Sequence, residues 1–189
     1  VPVSAVRGTG LDALRAALSA QVDAVPPAPD HGRPRLSVDR VFTLAGFGTV
    51  VTGTLRDGRL RVGDTVAVGT GGATTRVRGL QSHGRTVEVA LPGTRVAVNL
   101  VGLDVADIAR GDDVTAVDAY RPTQLVDVEV ALLPDAPAPL KHDRTLQLFH
   151  GAAEVPAHAR LIGAESIPPG GRGAVQFWLA RPMVLAAGD

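Results

Sequence analysis

The chain has no cysteine among its 189 residues, which removes disulfide stapling and thiolate metal ligation from consideration. It has no run of about 18 apolar residues, and no basic leader followed by an apolar core and a small-residue cleavage site. Nothing in it therefore reads as a membrane span or a secretory signal. Aromatic residues make up only 3%, with a single tryptophan. That excludes the platform of several exposed rings on which single-strand binding modules stack bases. An excess of charge of either sign is missing too. Lys+Arg and Asp+Glu both number 19, so the whole-chain field does not gather polyanions and any nucleic-acid contact must come from local patches. Lysine is nearly absent, Lys141 being the sole one, and the surplus of Ala, Val, Gly and Arg is what a GC-rich genome produces. These absences fit a cytoplasmic protein.

What is present is a 45% apolar content, ample for one large domain or two small barrels. Residues 1–25 read as a strand end, a turn at Gly8-Thr9-Gly10 and one helix, with Leu11, Leu14, Leu18 and Val22 at helical spacing. The stretch Val25-Pro26-Pro27-Ala28-Pro29 then favours an extended linker over 26–34. From Leu36 the pattern changes to short apolar runs of period two, cut by glycine and proline at intervals of about 8–12 residues. This predicts antiparallel strands: one unit over 35–118, a junction near Pro122, and a second over 119–189 that reads as a barrel lacking its last strand. In the strand Thr94 to Val101, Val96, Val98 and Leu100 share one face while Arg95 and Asn99 point off the core.

Candidate chemistry is sparse. No Gly-x-x-x-x-Gly-Lys-Ser/Thr loop and no Asn-Lys-x-Asp set occurs, so this segment is expected neither to bind nor to hydrolyse GTP. No Ser/His/Asp set or paired carboxylates sit in a recruiting motif, and no catalytic residue is expected. His142, His150 and His158 recur at equal spacing. Gly151 and Pro156 interrupt any strand that would align them, and no metal site is expected. The segment Leu36-Ser37-Val38-Asp39-Arg40-Val41-Phe42-Thr43-Leu44-Ala45-Gly46-Phe47-Gly48-Thr49-Val50-Val51-Thr52-Gly53-Thr54-Leu55 reads as a hairpin. Gly46 and Gly48 supply the turn and Gly53 a bulge.

That hairpin closely resembles the second domain of translational GTPases of the elongation factor Tu superfamily. Leu60-Arg61-Val62-Gly63-Asp64, Pro92-Gly93-Thr94-Arg95 and Ile108-Ala109-Arg110-Gly111-Asp112 follow it in the same order. The Asp39-Arg40 pair, Arg95 and the stretch Arg78-Gly79-Leu80-Gln81-Ser82-His83-Gly84 resemble the selenocysteine-specific branch, SelB. The resemblance implies an all-β fragment of two tandem antiparallel β-barrels of translation-factor type, preceded by the C-terminal helix of an α/β GTPase domain. It implies that Asp39, Arg40 and Arg95 form the selenocysteine pocket, with Phe42 and Thr52 near the terminal adenosine of the tRNA 3′ end. Lys141, Arg144, His150 and Arg160 would meet tRNA phosphates, and Ser4 and Ala5 would be the remnant of a guanine-contacting turn. Implied partners are selenocysteyl-tRNA, the ribosome and the parent's own GTPase domain, with GTP and Mg used by the parent and no cofactor by this segment. The rival readings are a general aminoacyl-tRNA-binding elongation or initiation factor, which would want an acidic or neutral pocket, and a protein-binding barrel.

Overall fold

The computed structural model describes residues 1–28 and 30–189; Pro29, within the expected linker, lies outside the described residues. Gly10, left-handed at φ 73, opens helix α1 (Leu11–Ala24). None of the helix's residues is buried, and Leu18 and Val22 on its apolar stripe are exposed. No described helix is long and apolar enough to cross a membrane.

Nine strands follow: β1 (Arg35–Leu44), β2 (Gly48–Asp57), β3 (Leu60–Arg61), β4 (Thr65–Val68), β5 (Ala73–Ser82), β6 (Arg85–Val87), β7 (Val89–Ala90), β8 (Thr94–Leu100) and β9 (Asp113–Ala116). Their order β4-β9-β1-β2-β8-β5, with β5 pairing back to β4, closes a six-stranded antiparallel barrel. Closure removes the free edges that an open sheet would present. Period-two alternation fills it: Leu36 and Val38, Val51 and Leu55, and Val96, Val98 and Leu100 all point inward and are buried.

The β1–β2 hairpin turns on Gly46 and Gly48, whose φ of 79 and 83 lie where a Cβ is disfavoured. The expected bulge at Gly53 is corrected by the register. Val38 opposes Gly53 and Arg40 opposes Thr52, so the extra residue is Asp39, on the partner strand. Gly53 is small because a side chain there would run into the Ser37 carbonyl and the Leu36 side chain.

The second unit holds β10 (Thr123–Ala131), β11 (Leu140–Lys141), β12 (Arg144–His150), β13 (Ala153–Ile162), β14 (Ser166–Ile167) and β15 (Arg172–Met183). A four-stranded sheet, β10-β15-β13-β12, is accompanied by the ribbon β11-β14. Along β13, Ala153, Val155, Ala157, Ala159 and Leu161 alternate into its core. The two sheet edges, β10 and β12, face a cavity of about 590 Å³ that the C-terminal residues Leu185 to Asp189 also line. With 51% of residues in strands and 9% in helix, the chain is all-β in class.

The two cores are locked by a polar junction. Buried Arg35 grips Asp189 through both terminal nitrogens. Its guanidinium also stacks 5.5 Å from the Tyr120 ring centroid. Gly111 and Gly151 allow the contact: a Cβ on Gly111 would lie 2.6 Å from Ala153 Cα, and one on Gly151 would lie 2.9 Å from Ser37 Cβ.

Candidate ligand-binding site

The outer face of the barrel follows from register alone. Residues opposite one another across antiparallel strands share a face. Arg40 therefore stands beside Thr52 and Thr52 beside Ala97; one rung away Thr54 stands beside Arg95, and on the other side Phe42, Val50 and Asn99 share a rung. The bulge at Asp39 is what lets two consecutive residues, Asp39 and Arg40, leave the core between Val38 and the inward-packed Val41.

On this face Arg95 and Asp39 form a two-pronged ion pair. Arg95 Nη1 donates to Asp39 Oδ2 and Nη2 to Asp39 Oδ1 at 2.8 Å. Thr52 Oγ1 donates to Asp39 Oδ1 at 2.8 Å and lies 3.4 Å from Arg95 Nη2. Partial burial pushes the Asp39 carboxyl up; hydrogen bonds from Arg95 and Thr52 and the charges of Arg95 and Arg40 outweigh it and hold the group below its ordinary value. The Arg95 guanidinium is raised by its hydrogen bond to Asp39 and stays charged throughout. Arg40 is exposed and has no hydrogen bond or ion pair among the described residues.

The structure thus brings Asp39, Arg95 and Thr52 into contact and sets Arg40 on the same face, close enough for its charge to bear on Asp39. Asp39 also lines a cavity of about 460 Å³ at the seam of the two units, whose walls include Arg56, Arg110 and Gly151 but neither Arg40 nor Arg95. Phe42 lines a separate hollow of about 180 Å³ with Leu44, Phe47, Val50 and Asn99. Asn99 is buried there by the hairpin tip, donating from Nδ2 to the Phe47 carbonyl at 2.7 Å. Its Oδ1 has no partner among the described residues. Thr52 is not on that wall, so Phe42 and Thr52 belong to neighbouring features.

The other expected residues lie apart. Ser4 is folded into its own turn, accepting from the Arg7 N–H at 3.3 Å, and Ala5 is exposed beside it. Lys141 is on the ribbon and exposed. Arg144 opposes the inward-facing Ala159, whereas Arg160 opposes Gln176 on the outer face, so the two arginines take opposite sides of the sheet. His150 is corrected from a surface phosphate contact to a junction residue. Its side chain is only 10% exposed, with Nε2 lying 3.0 Å from Arg56 Nη1 and 3.2 Å from Asp189 Oδ2. His142 Nδ1 accepts the Leu161 N–H and His158 Nε2 pairs with Asp143 at 2.7 Å. Sequence reasoning missed Arg35, Arg56, Asp113 and Asp189. A lone arginine at a strand start carries no signal for an acidic partner 154 positions away.

Comparison with known proteins adds four findings. Residues 48–115 match the family described as elongation factor Tu domain 2. Over its whole length the chain is 39% identical to a selenocysteine-specific elongation factor of Desulfomicrobium baculatum, covering 30% of that protein. A crystal structure of a bacterial selenocysteine-specific elongation factor superposes on all of the chain, and on 30% of its own, with a TM-score of 0.81 and 28% identity. The apo structure of translation elongation factor SelB from Methanococcus maripaludis gives 0.83 at 24% identity, covering all of this chain and 44% of that one, which speaks to the fold. The chain thus spans about 30% of the length of the Desulfomicrobium baculatum factor and of the bacterial factor of known structure.

Proposed function

The chain belongs to the family of selenocysteine-specific elongation factors, and from that premise we propose that it is the part of such a factor that holds the aminoacyl end of selenocysteyl-tRNA. Residues 35–118 and 119–189 act as its second and third domains, and residues 1–25 as the end of its GTPase domain. The parent delivers the charged tRNA to the ribosome in the cytoplasm, with GTP and Mg serving its GTPase domain. The observation that carries the reading is the Asp39–Arg95 pair braced by Thr52, with unpaired Arg40 on the same face.

The chemistry is that of an anion receptor. A selenol ionises well below a thiol, whose ordinary pKa is about 8.5, so the selenocysteine side chain is largely a selenolate at neutral pH while serine is neutral. Guanidiniums at Arg40 and Arg95 make charge-assisted hydrogen bonds to the selenolate and leave serine's hydroxyl a poor substitute. Cysteine, mostly protonated, is rejected less completely. The hollow beside Phe42 takes the flat base of the terminal adenosine, and the unpaired Asn99 Oδ1 is an acceptor for an amino group there. Lys141, Arg144 and Arg160 keep exposed heads for phosphates, on separate faces.

The test is equilibrium binding of selenocysteyl-tRNA and seryl-tRNA to the full parent factor. A strong preference for the selenium form is expected, falling at least tenfold in the Arg40→Ala, Arg95→Ala double variant. Equal binding of the two tRNAs by the unaltered factor, or an unchanged preference in the double variant, sinks the reading.

A further inference from the structure

The Thr52 hydroxyl is directed at Asp39, donating to its Oδ1 at 2.8 Å. Asp39 has two oxygens. Oδ2 accepts one Arg95 nitrogen, and Oδ1 accepts both the other Arg95 nitrogen and the Thr52 hydroxyl. A carboxylate on an extra, bulged residue lacks the fixed direction that regular pairing gives its neighbours. The hydroxyl on the facing strand supplies that direction. With Asp39 held, Arg95 is gripped through Nη1 and Nη2, and its Nε edge remains without a partner among the described residues. Arg95 itself is largely exposed, at 55% of its side chain, so packing does not orient it.

We propose that Thr52 is a positioning residue: its hydroxyl fixes the Asp39 carboxylate, which in turn presents the Arg95 guanidinium, alongside Arg40, in the one orientation that can receive an anionic side chain. Thr52 is accordingly not a contact for the tRNA 3′ end, and Asp39 acts on the ligand only through Arg95. The inference deepens the aminoacyl-pocket reading above and rests on it for the identity of the anion; the geometric part stands without it.

Two measurements separate them. The first needs no ligand: nitrogen-15 NMR of the arginine side chains in this chain. Gripped by two prongs, the Arg95 guanidinium rotates slowly and shows distinct Nη signals. Thr52→Val, which keeps the shape and deletes the hydroxyl, is expected to merge them as fully as Asp39→Asn does. Thr52→Ser, which restores the hydroxyl, is expected to retain them. Signals unchanged in Thr52→Val, or equally merged in Thr52→Ser, overturn the proposal whatever the tRNA does. The second measurement is the selenocysteyl over seryl preference of the parent factor, expected to fall about tenfold in Thr52→Val and to recover in Thr52→Ser. A preference kept in Thr52→Val but lost in Thr52→Ser would mean that Thr52 acts through its methyl group and not its hydroxyl, and would overturn the positioning role. If the unaltered parent shows no preference while the NMR result holds, the pocket reading fails and the positioning geometry survives.

Discussion

Asp113, at the start of β9, is 6% exposed, and burial pushes its carboxyl up against the hydrogen bond donated by Ser37 and the charges of Arg35 and His150. A carboxyl raised in the folded state adds stability that is full below its unfolded pKa of about 3.9 and is lost as pH rises through the folded value. At neutral pH the charge is therefore a cost. Asp113→Asn keeps an oxygen for the Ser37 hydroxyl and removes that cost. It is expected to raise the thermal midpoint by a few degrees at pH 8 and to leave it nearly unchanged at pH 4; melts at the two values check both halves. The residues of the proposed pocket behave differently with respect to the sequence. Asp39, Arg40 and Arg95 are legible there through a family resemblance, but the pairing of Asp39 with Arg95 and Thr52 is not. Nothing in the order Asp39-Arg40 says that a bulge will turn both outward, or that Thr52, on the next strand, will be bonded to Asp39.

At the scale of elements, alternation made most strands readable because each barrel wall buries one face. Val96, Val98 and Leu100 in β8 and the small inward residues of β13 are plain in the sequence. β9 is not, since four residues, Asp113-Val114-Thr115-Ala116, offer a single large apolar side chain, yet this strand closes the barrel between β4 and β1. The bulge was misplaced onto Gly53 because a strand glycine serves bulges and close approaches alike. Its true location makes a prediction. Removing Asp39 leaves Val38 opposite Gly53 and Arg40 opposite Thr52, an unbroken ladder with Val38 and Val41 still inward. The deletion should fold with a stability within about 1 kcal/mol of the parent chain, because the exposed ion pair it removes is worth about that at most. Gly53→Ala, by contrast, drives a methyl into the Ser37 carbonyl and should cost several-fold more. Urea denaturation of the two variants side by side orders them, and the reverse order would refute the placement of the bulge.

At the scale of the whole molecule, the two cores are coupled by groups that belong to neither. Arg35 from β1 and Asp189 from the C-terminal segment pair while largely buried, and Gly111 and Gly151 let the backbones meet. Burial pushes the Asp189 carboxyl up, but Arg35's hydrogen bond, the Ala186 N–H and the nearby positive charges of Arg35 and His150 more than reverse this and set it at about 2. The sign is opposite to that of Asp113: a depressed carboxyl adds stability that is present above its unfolded pKa of about 3.9 and is lost as pH falls through about 2. The junction should therefore hold the units together at neutral pH and weaken between roughly pH 4 and pH 2. Calorimetry is expected to show one transition for the chain at pH 7. In Gly111→Ala the new methyl would overlap Ala153, and the backbone there, at φ 89, disfavours any side chain. This variant should split the transition into two at neutral pH, since it parts the seam and leaves each core intact. Asp189→Asn should lower the single midpoint at pH 7 and flatten its decline below pH 4. If Gly111→Ala still melts in one step with an unchanged midpoint, the cores are coupled by some route other than this seam.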